Sequence, residues 1–153
     1  MMSSAKKLER VQVASAIYDY IAVGIFAFPV IAAWHLGVNL QGIHQALEFT
    51  GGYPAFDPLH LLFANLFGGF AIMWSTLRIV KKLPVFGLCD GLLRVYYATL
   101  MLLYVVVWKT SAILSVFIAV ELFWGVWQLW LYFALQKELN SSERHFSAQP
   151  NRA

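Results

Sequence analysis

From Ser111 to Leu135 the only charged side chain is Glu121. A bilayer core about 30 Å thick takes roughly 20 mostly apolar residues per helix, and this stretch meets that requirement with little to spare for any other environment. Three further stretches, 17–34, 58–80 and 92–108, have the same character. Together they use most of the chain and leave no room for a water-soluble domain. Composition agrees: 60% of the residues are apolar and 12% are charged, against roughly 45–50% and about 25% in an ordinary soluble domain. A β-barrel would require alternation over about ten residues per strand, and the run LMLLYVVVW does not alternate. Each backbone amide in lipid must be satisfied within its own segment, so helices are expected. The fold class read from the sequence is therefore all-α: an integral membrane four-helix antiparallel bundle over residues 1–139, with an outer loop at 36–57. A polar cytoplasmic tail, expected to be frayed, follows at 140–153.

Local signals mark the helix ends. Asp57-Pro58 reads as an N-cap followed by proline at the first helical position, where the missing N–H costs nothing. Asp90 is placed to cap the third helix, and Thr110 or Ser111 the fourth. Pro29 should kink the first span. That span is too long for a signal-peptide core and closes on no A-x-A site, so it is expected to be retained. Ten of the eleven basic residues, all but Lys109, fall beside the N-terminus, the 80–92 connection or the C-terminal tail. The positive-inside rule then places both termini in the cytoplasm, in a cell inner membrane. The same bias accounts for the net charge of +3 without a nucleic-acid partner.

Polar groups within spans are costly and mark candidate sites. Glu121, Gly125, Gln128 and Tyr132 follow helical offsets and share one face, which should look into the bundle. The opposite side carries Phe123, Trp127, Trp130 and Leu131, a bulky surface for lipid, a membrane-protein partner or a second copy. Two roles compete for Glu121. It bonds to Asn65 or Tyr104 and holds helices together, or it exchanges a proton or cation with a substrate, with Asn65 and Gln128 beside the path. Asp90 and Arg94 are four apart, the acid nearer the helix start. With Asp19 at similar depth, they form an expected inner-leaflet charge cluster in which Arg94 bridges Asp19 and Gln128. Ala64, Gly68, Ala71 and Ser75 make a small-residue stripe suited to close helix packing. Trp34, Trp74, Trp108 and Trp130 fall where an aromatic belt would put them.

On the outer side, His35, His44, Glu48 and His60 are the candidate metal ligands. His44 and Glu48 share a face if residues 38–49 form one helix. No metalloprotease helix, P-loop, dinucleotide fingerprint or serine elbow is present, and no cofactor is called for. Cys89 has no second cysteine to pair with, which excludes an internal disulfide.

The stretches DPLHLLFANLFGGFAIMWSTLRI and DGLLRVYYATLMLLY, with the later glutamate of VELFWGVWQ, resemble small bacterial four-helix membrane proteins of the DoxX-like kind. The resemblance covers roughly residues 57–128. It rests on the small-residue second helix, the Asp-x-x-x-Arg opening of the third and the acid of the fourth. It implies a bundle in a bacterial inner membrane, often accessory to another complex, and transfers no active site. Four-helix multidrug exporters carry their membrane glutamate in the first helix. This chain has only Asp19 near the start of that helix, a departure that argues against such an exporter. Three function classes follow: a non-enzymatic accessory or assembly subunit, favoured; a small proton-coupled transporter using Glu121; and a membrane enzyme with the outer histidines as its site. The chain is expected to stay in the membrane pellet through an alkaline carbonate wash and to need detergent for release. Recovery as a compact monomer in plain buffer would overturn the membrane assignment.

Overall fold

The computed structural model describes residues 3–147. It is helical throughout, the nearest thing to a strand among those residues being a lone bridge between Gly52 and Thr110. The elements are α1 (Ser4–Ala22), a 3-10 turn (Gly24–Ala27), α2 (Pro29–Trp34), a π-helical turn (His35–Leu40), α3 (Gln41–Ala46), α4 (Pro58–Lys81), α5 (Pro84–Val106) and α6 (Leu114–Ser147). Three of these helices, α4, α5 and α6 as far as Arg144, are long and apolar enough to cross a membrane.

The partition of side chains is the reverse of a water-soluble core. Ser15, Ser75, Arg78, Asp90, Arg94 and Gln128 are buried, whereas Leu62, Phe63, Phe70, Met73, Phe123 and Trp130 are exposed. Exposed apolar surface on this scale has no stable contact with water. It is the surface a bilayer solvates.

The helix ends follow local chemistry. The Asp57 carboxylate accepts from the N–H groups of Leu59 and His60, both at 2.9 Å, and so caps α4. The His60 amide, with the weaker Leu59 amide behind it, holds the Asp57 carboxyl below its ordinary range. Lys82, at φ 48°, closes α4 with its N–H on the Arg78 carbonyl at 3.2 Å. Leu83-Pro84 then opens α5 immediately. The third apolar helix thus begins eight residues before the expected 92, because Pro84 suits a first turn as well as any residue does. Asp90 consequently lies inside the helix and is not its cap. Ser111 does serve the α6 end, its Oγ accepting from the Ile113 N–H at 3.2 Å. At the other end of α6, the tail expected to be irregular from residue 140 remains helical to Ser147, and residues 148–153 lie outside the described ones.

The largest departure concerns the span expected at 17–34, which is no single helix. Helix α1 ends at Ala22, and α2 starts afresh at Pro29, whose missing N–H cannot continue a helix. The path between them nevertheless keeps its direction along α4. The Gln12 amide donates to the Leu83 carbonyl at 2.9 Å, Arg78 donates to Ser15 at 3.1 Å, Tyr20 bonds to Thr76, and the Asn65 amide donates to the Phe26 carbonyl at 2.7 Å. From Lys81 to Asn65 is about 24 Å of helix, so α1 and the 3-10 turn together run antiparallel to most of α4. The break leaves backbone groups without helical partners. Asn65 satisfies one of them, and Gly68 has no side chain where the Phe26–Ala27 backbone passes.

Residues 29–57 fold back over that end of the molecule. Tyr53 donates to the Leu36 carbonyl at 2.5 Å, and the N–H groups of Gly52 and Ala112 reach Lys109 and Thr50 carbonyls at 3.0 and 2.8 Å. Helices α5 and α6 pack tightly, as do α1 and α6 and α1 and α4. In contrast, α4 and α5 part company after their shared turn. A small apolar core of Leu8, Val11, Leu131 and Leu135 fills the α1–α6 seam. Leu131 therefore does not belong to the outward aromatic surface, since it lies three residues beyond buried Gln128 and shares its side of the helix.

The α5–α6 seam is closest at Gly91 and Gly125. A Cβ on Gly125 would sit 3.1 Å from the Arg94 Cβ and 3.2 Å from the Gly91 carbonyl oxygen. Gly125→Val is expected to lower the thermal midpoint in detergent by an amount worth about 1–3 kcal/mol of overpacking. Gly69→Ala, where a Cβ meets nothing within 4 Å, should not lower it and should raise it by an amount worth up to about 1 kcal/mol through helix propensity.

Candidate functional site

Two guanidinium groups organise the interior. Arg78, with a relative exposure of 0%, donates to Asp90 Oδ2 at 2.5 Å, to Ser15 Oγ at 3.1 Å, to Ser75 Oγ at 3.2 Å, and to Asp19. Arg94 donates through Nε to Asp90 at 2.8 Å, and through its two terminal nitrogens to Glu121 at 2.8 Å and Asp19 at 2.6 Å. Asp90 also accepts from the Trp74 indole at 2.9 Å and from the Gln128 amide at 2.8 Å. Gln128 reaches Ser15 as well, at 3.3 Å. Every long helix thus supplies polar groups to one network: Ser15 and Asp19 from α1, Trp74, Ser75 and Arg78 from α4, Asp90 and Arg94 from α5, and Glu121 and Gln128 from α6.

The structure brings Asp19, Asp90, Arg94, Glu121 and Gln128 together, with changes in who holds whom. Arg94 meets Asp19 directly, but Gln128 joins through Asp90. Glu121 takes Arg94 as its partner, in place of Asn65 or Tyr104, because Arg94 packs against Gly125, one turn from Glu121 on the same face of α6. Asn65 instead serves the Phe26 carbonyl, and Tyr104 lies beside Trp108 at a ring separation of 4.8 Å. Trp74 is not a belt residue, since its indole N–H is turned inward to Asp90.

Sequence reasoning missed Arg78, which was counted as a loop charge at the cytoplasmic boundary. A signal was present. Ala64, Gly68, Ala71, Ser75 and Arg78 follow offsets of four, three, four and three, so the arginine closes the same inward stripe. Ser15 and Asp19, four apart on α1, were a second legible pair.

Above this network lies a cavity of about 500 Å³, bounded by α1, α4, α5, α6 and the π-helical turn. Its walls include Phe67, Phe70, Tyr97, Leu100 and Met101, its polar floor is Asp19, Arg94 and Glu121, and Leu36 and Leu40 cover its far end. The cavity lies where α4 and α5 diverge, with the Phe67 and Tyr97 rings meeting edge-to-face across the gap at 6.0 Å and with Phe67 and Phe70 themselves exposed. Three carboxylates line it, those of Asp19, Asp90 and Glu121, held by the Arg94 guanidinium, which lines it too, and by Arg78 buried behind them. With all five ionised, one negative charge is in excess.

The outer candidates do not converge. The Asn39 amide donates to His35 Nδ1 at 3.1 Å, His44 shares a hydrogen bond of 2.7 Å with Ser111, and His60 sits 3.2 Å from Asp57. Glu48 lies beyond the end of α3 at φ 51°, so it cannot stand one turn above His44 as a helical pair would. Among the described residues no three His, Cys, Asp or Glu side chains gather into a metal-binding group. No protein-family model, curated protein or solved structure matches the chain.

Removing one partner from a buried ion network strands the rest, at a cost of about 3–5 kcal/mol. Arg94→Met should therefore abolish or severely reduce recovery of folded protein, and adding Asp90→Asn to it should restore part of the loss. Glu121→Gln, whose amide oxygen still accepts from Arg94, should shift the thermal midpoint by no more than one ordinary hydrogen bond, about 0.5–1.5 kcal/mol.

Proposed function

We propose that the chain is a four-helix membrane protein of the small bacterial kind that residues 57–128 resemble, seated in the inner membrane with both termini cytoplasmic. We propose further that it is a non-enzymatic subunit whose cavity holds an amphipathic molecule. Its first crossing is the composite of α1 and the 3-10 turn, which supports four antiparallel passes although, among the described residues, only three helices are individually long and apolar. The orientation is supported by the basic side chains outside the network. Lys6, Lys7, Arg10, Lys81, Lys82, Lys137 and Arg144 belong to the end where Ser4 meets Glu138 and Lys82 meets Glu9, and Lys109 stands alone at the other.

The observation that carries the binding reading is the contrast within one cavity: apolar, aromatic walls and a floor of paired charges. Pockets that bind small molecules have this makeup, with apolar walls for affinity and a few fixed polar groups for orientation. The head of the occupant is neutral and hydrogen-bond-donating, or cationic. Arg94 is already held by three carboxylates, and an anion entering beside Asp19 and Glu121 meets like charge. The body enters between α4 and α5 from the lipid.

Leu36 and Leu40 across the far end support holding over passage. A carrier reading draws on Glu121 at the cavity floor and is separated by flux in proteoliposomes. The test uses two lipophilic ions of matched shape and opposite charge. In equilibrium dialysis of the detergent-solubilised chain, tetraphenylphosphonium is expected to bind at least tenfold more tightly than tetraphenylborate, about 1.4 kcal/mol. Ala71→Trp, which fills the cavity, should abolish binding, and Glu121→Gln should erase the charge preference. Equal binding of both ions, unaffected by Ala71→Trp, would overturn the reading.

A further inference from the structure

A second hollow, of about 320 Å³, lies on the opposite flank of α1, in its seam with α6. Lys7 and Arg10 stand at its rim. Trp124, Trp127 and Trp130 form its far wall, with Val11 and Ala14 between. Neither Lys7 nor Arg10 forms an ion pair among the described residues. The acids nearest in sequence and space are engaged elsewhere: Glu9 with Lys82 at 3.1 Å, and Glu138 with Ser4. The Trp124 and Trp127 rings are stacked, 5.9 Å apart and within 6° of parallel, and both line the hollow. Trp130 remains 64% exposed.

We infer that this groove is a binding site for one anionic phospholipid of the surrounding bilayer, with its phosphate on Lys7 and Arg10 and one acyl chain along the tryptophan wall. The proposal rests on the membrane assignment and is independent of what the central cavity holds. Three observations carry it. The two cations lie one turn apart on α1, where a single phosphate can meet both. Their depth is that of the headgroups, since the opposing stretch of α6 passes from Trp130 to the polar run beginning at Gln136-Lys137. Below them the wall descends from Trp130 to Trp124, about 9 Å of helix, which is the upper part of an acyl chain. Tryptophan is suited to this boundary because its ring is apolar while its N–H tolerates headgroup water. A zwitterionic headgroup brings its own cation toward Lys7 and Arg10 and forfeits the advantage.

The test is native mass spectrometry of the full chain released from micelles doped with equal phosphatidylglycerol and phosphatidylcholine. One phosphatidylglycerol should be retained over phosphatidylcholine by roughly thirtyfold, as two basic residues near the surface provide. The double variant Lys7→Gln, Arg10→Gln should lose that preference while keeping the parent chain's thermal midpoint in detergent, which shows that it is folded. Trp127→Ala should weaken retention of both lipids alike. Equal retention of the two lipids by the parent chain, a preference unchanged in the double variant, or a dimer that excludes lipid from this face would each overturn the inference.

Discussion

A guanidinium withdrawn from water requires carboxylates to come with it, and this chain withdraws two. Arg78 and Arg94 are held by Asp19, Asp90 and Glu121 from three different helices. In a low-dielectric interior, taking charges out of water is expensive, and a net gain requires close geometry and further hydrogen bonds. Ser15, Ser75, Trp74 and Gln128 supply those bonds. Because each long helix contributes, the network fixes helix rotation and register together. A helix turned by one residue would place an unpaired charge in lipid. Apolar packing alone cannot impose that condition, since side chains facing lipid tails lose little by rotating.

The same network explains why the cavity sits where it does. The polar ties between α4 and α5 are concentrated near their shared turn, where Trp74 and Arg78 meet Asp90. Farther along, α4 is drawn instead onto the 3-10 turn through Gly68 and Asn65, while α5, joined to α6 at Gly91 and Gly125 beside the network, stays with α6. Two small-residue seams pull the helices in different directions, and the space between them is left to Phe67, Phe70, Tyr97 and Leu100. The cavity floor is polar because the divergence begins just above the charge network.

The interrupted first segment has a physical logic of its own. A straight helix over residues 17–34 would be the economical solution in lipid, where every backbone group must find a partner. Pro29 interrupts it, having no N–H to give and a ring that crowds the preceding turn. The chain resolves the conflict by burying the break against α4, where an asparagine amide and a bare glycine accommodate the irregular backbone. The break also turns Leu36 and Leu40 over the cavity. A feature that looks like a defect in the first helix thus shapes the site.

The sequence by itself determined the helical class, the membrane as solvent and the inward face of α6, because these depend on length, apolarity and the 3.6-residue repeat, all of which are local. It also marked Asp19, Asp90, Arg94, Glu121 and Gln128 as polar groups that needed partners. Which partners they took was decided by tertiary structure alone. Glu121 belongs to Arg94 because α5 and α6 approach at paired glycines, and no periodicity within one helix encodes that register. Arg78 looked like a loop charge because Lys81 and Lys82 stand beside it, and only the packing of α1 against α4 shows it to be the most deeply buried cation of the fold. The outer histidines looked like a cluster because they share the outer side of the bundle, but the turns between them send each to a different neighbour. Spacing fixes which face a residue occupies, whereas contacts between faces depend on helix rotation and separation, and those emerge only when every segment is packed at once.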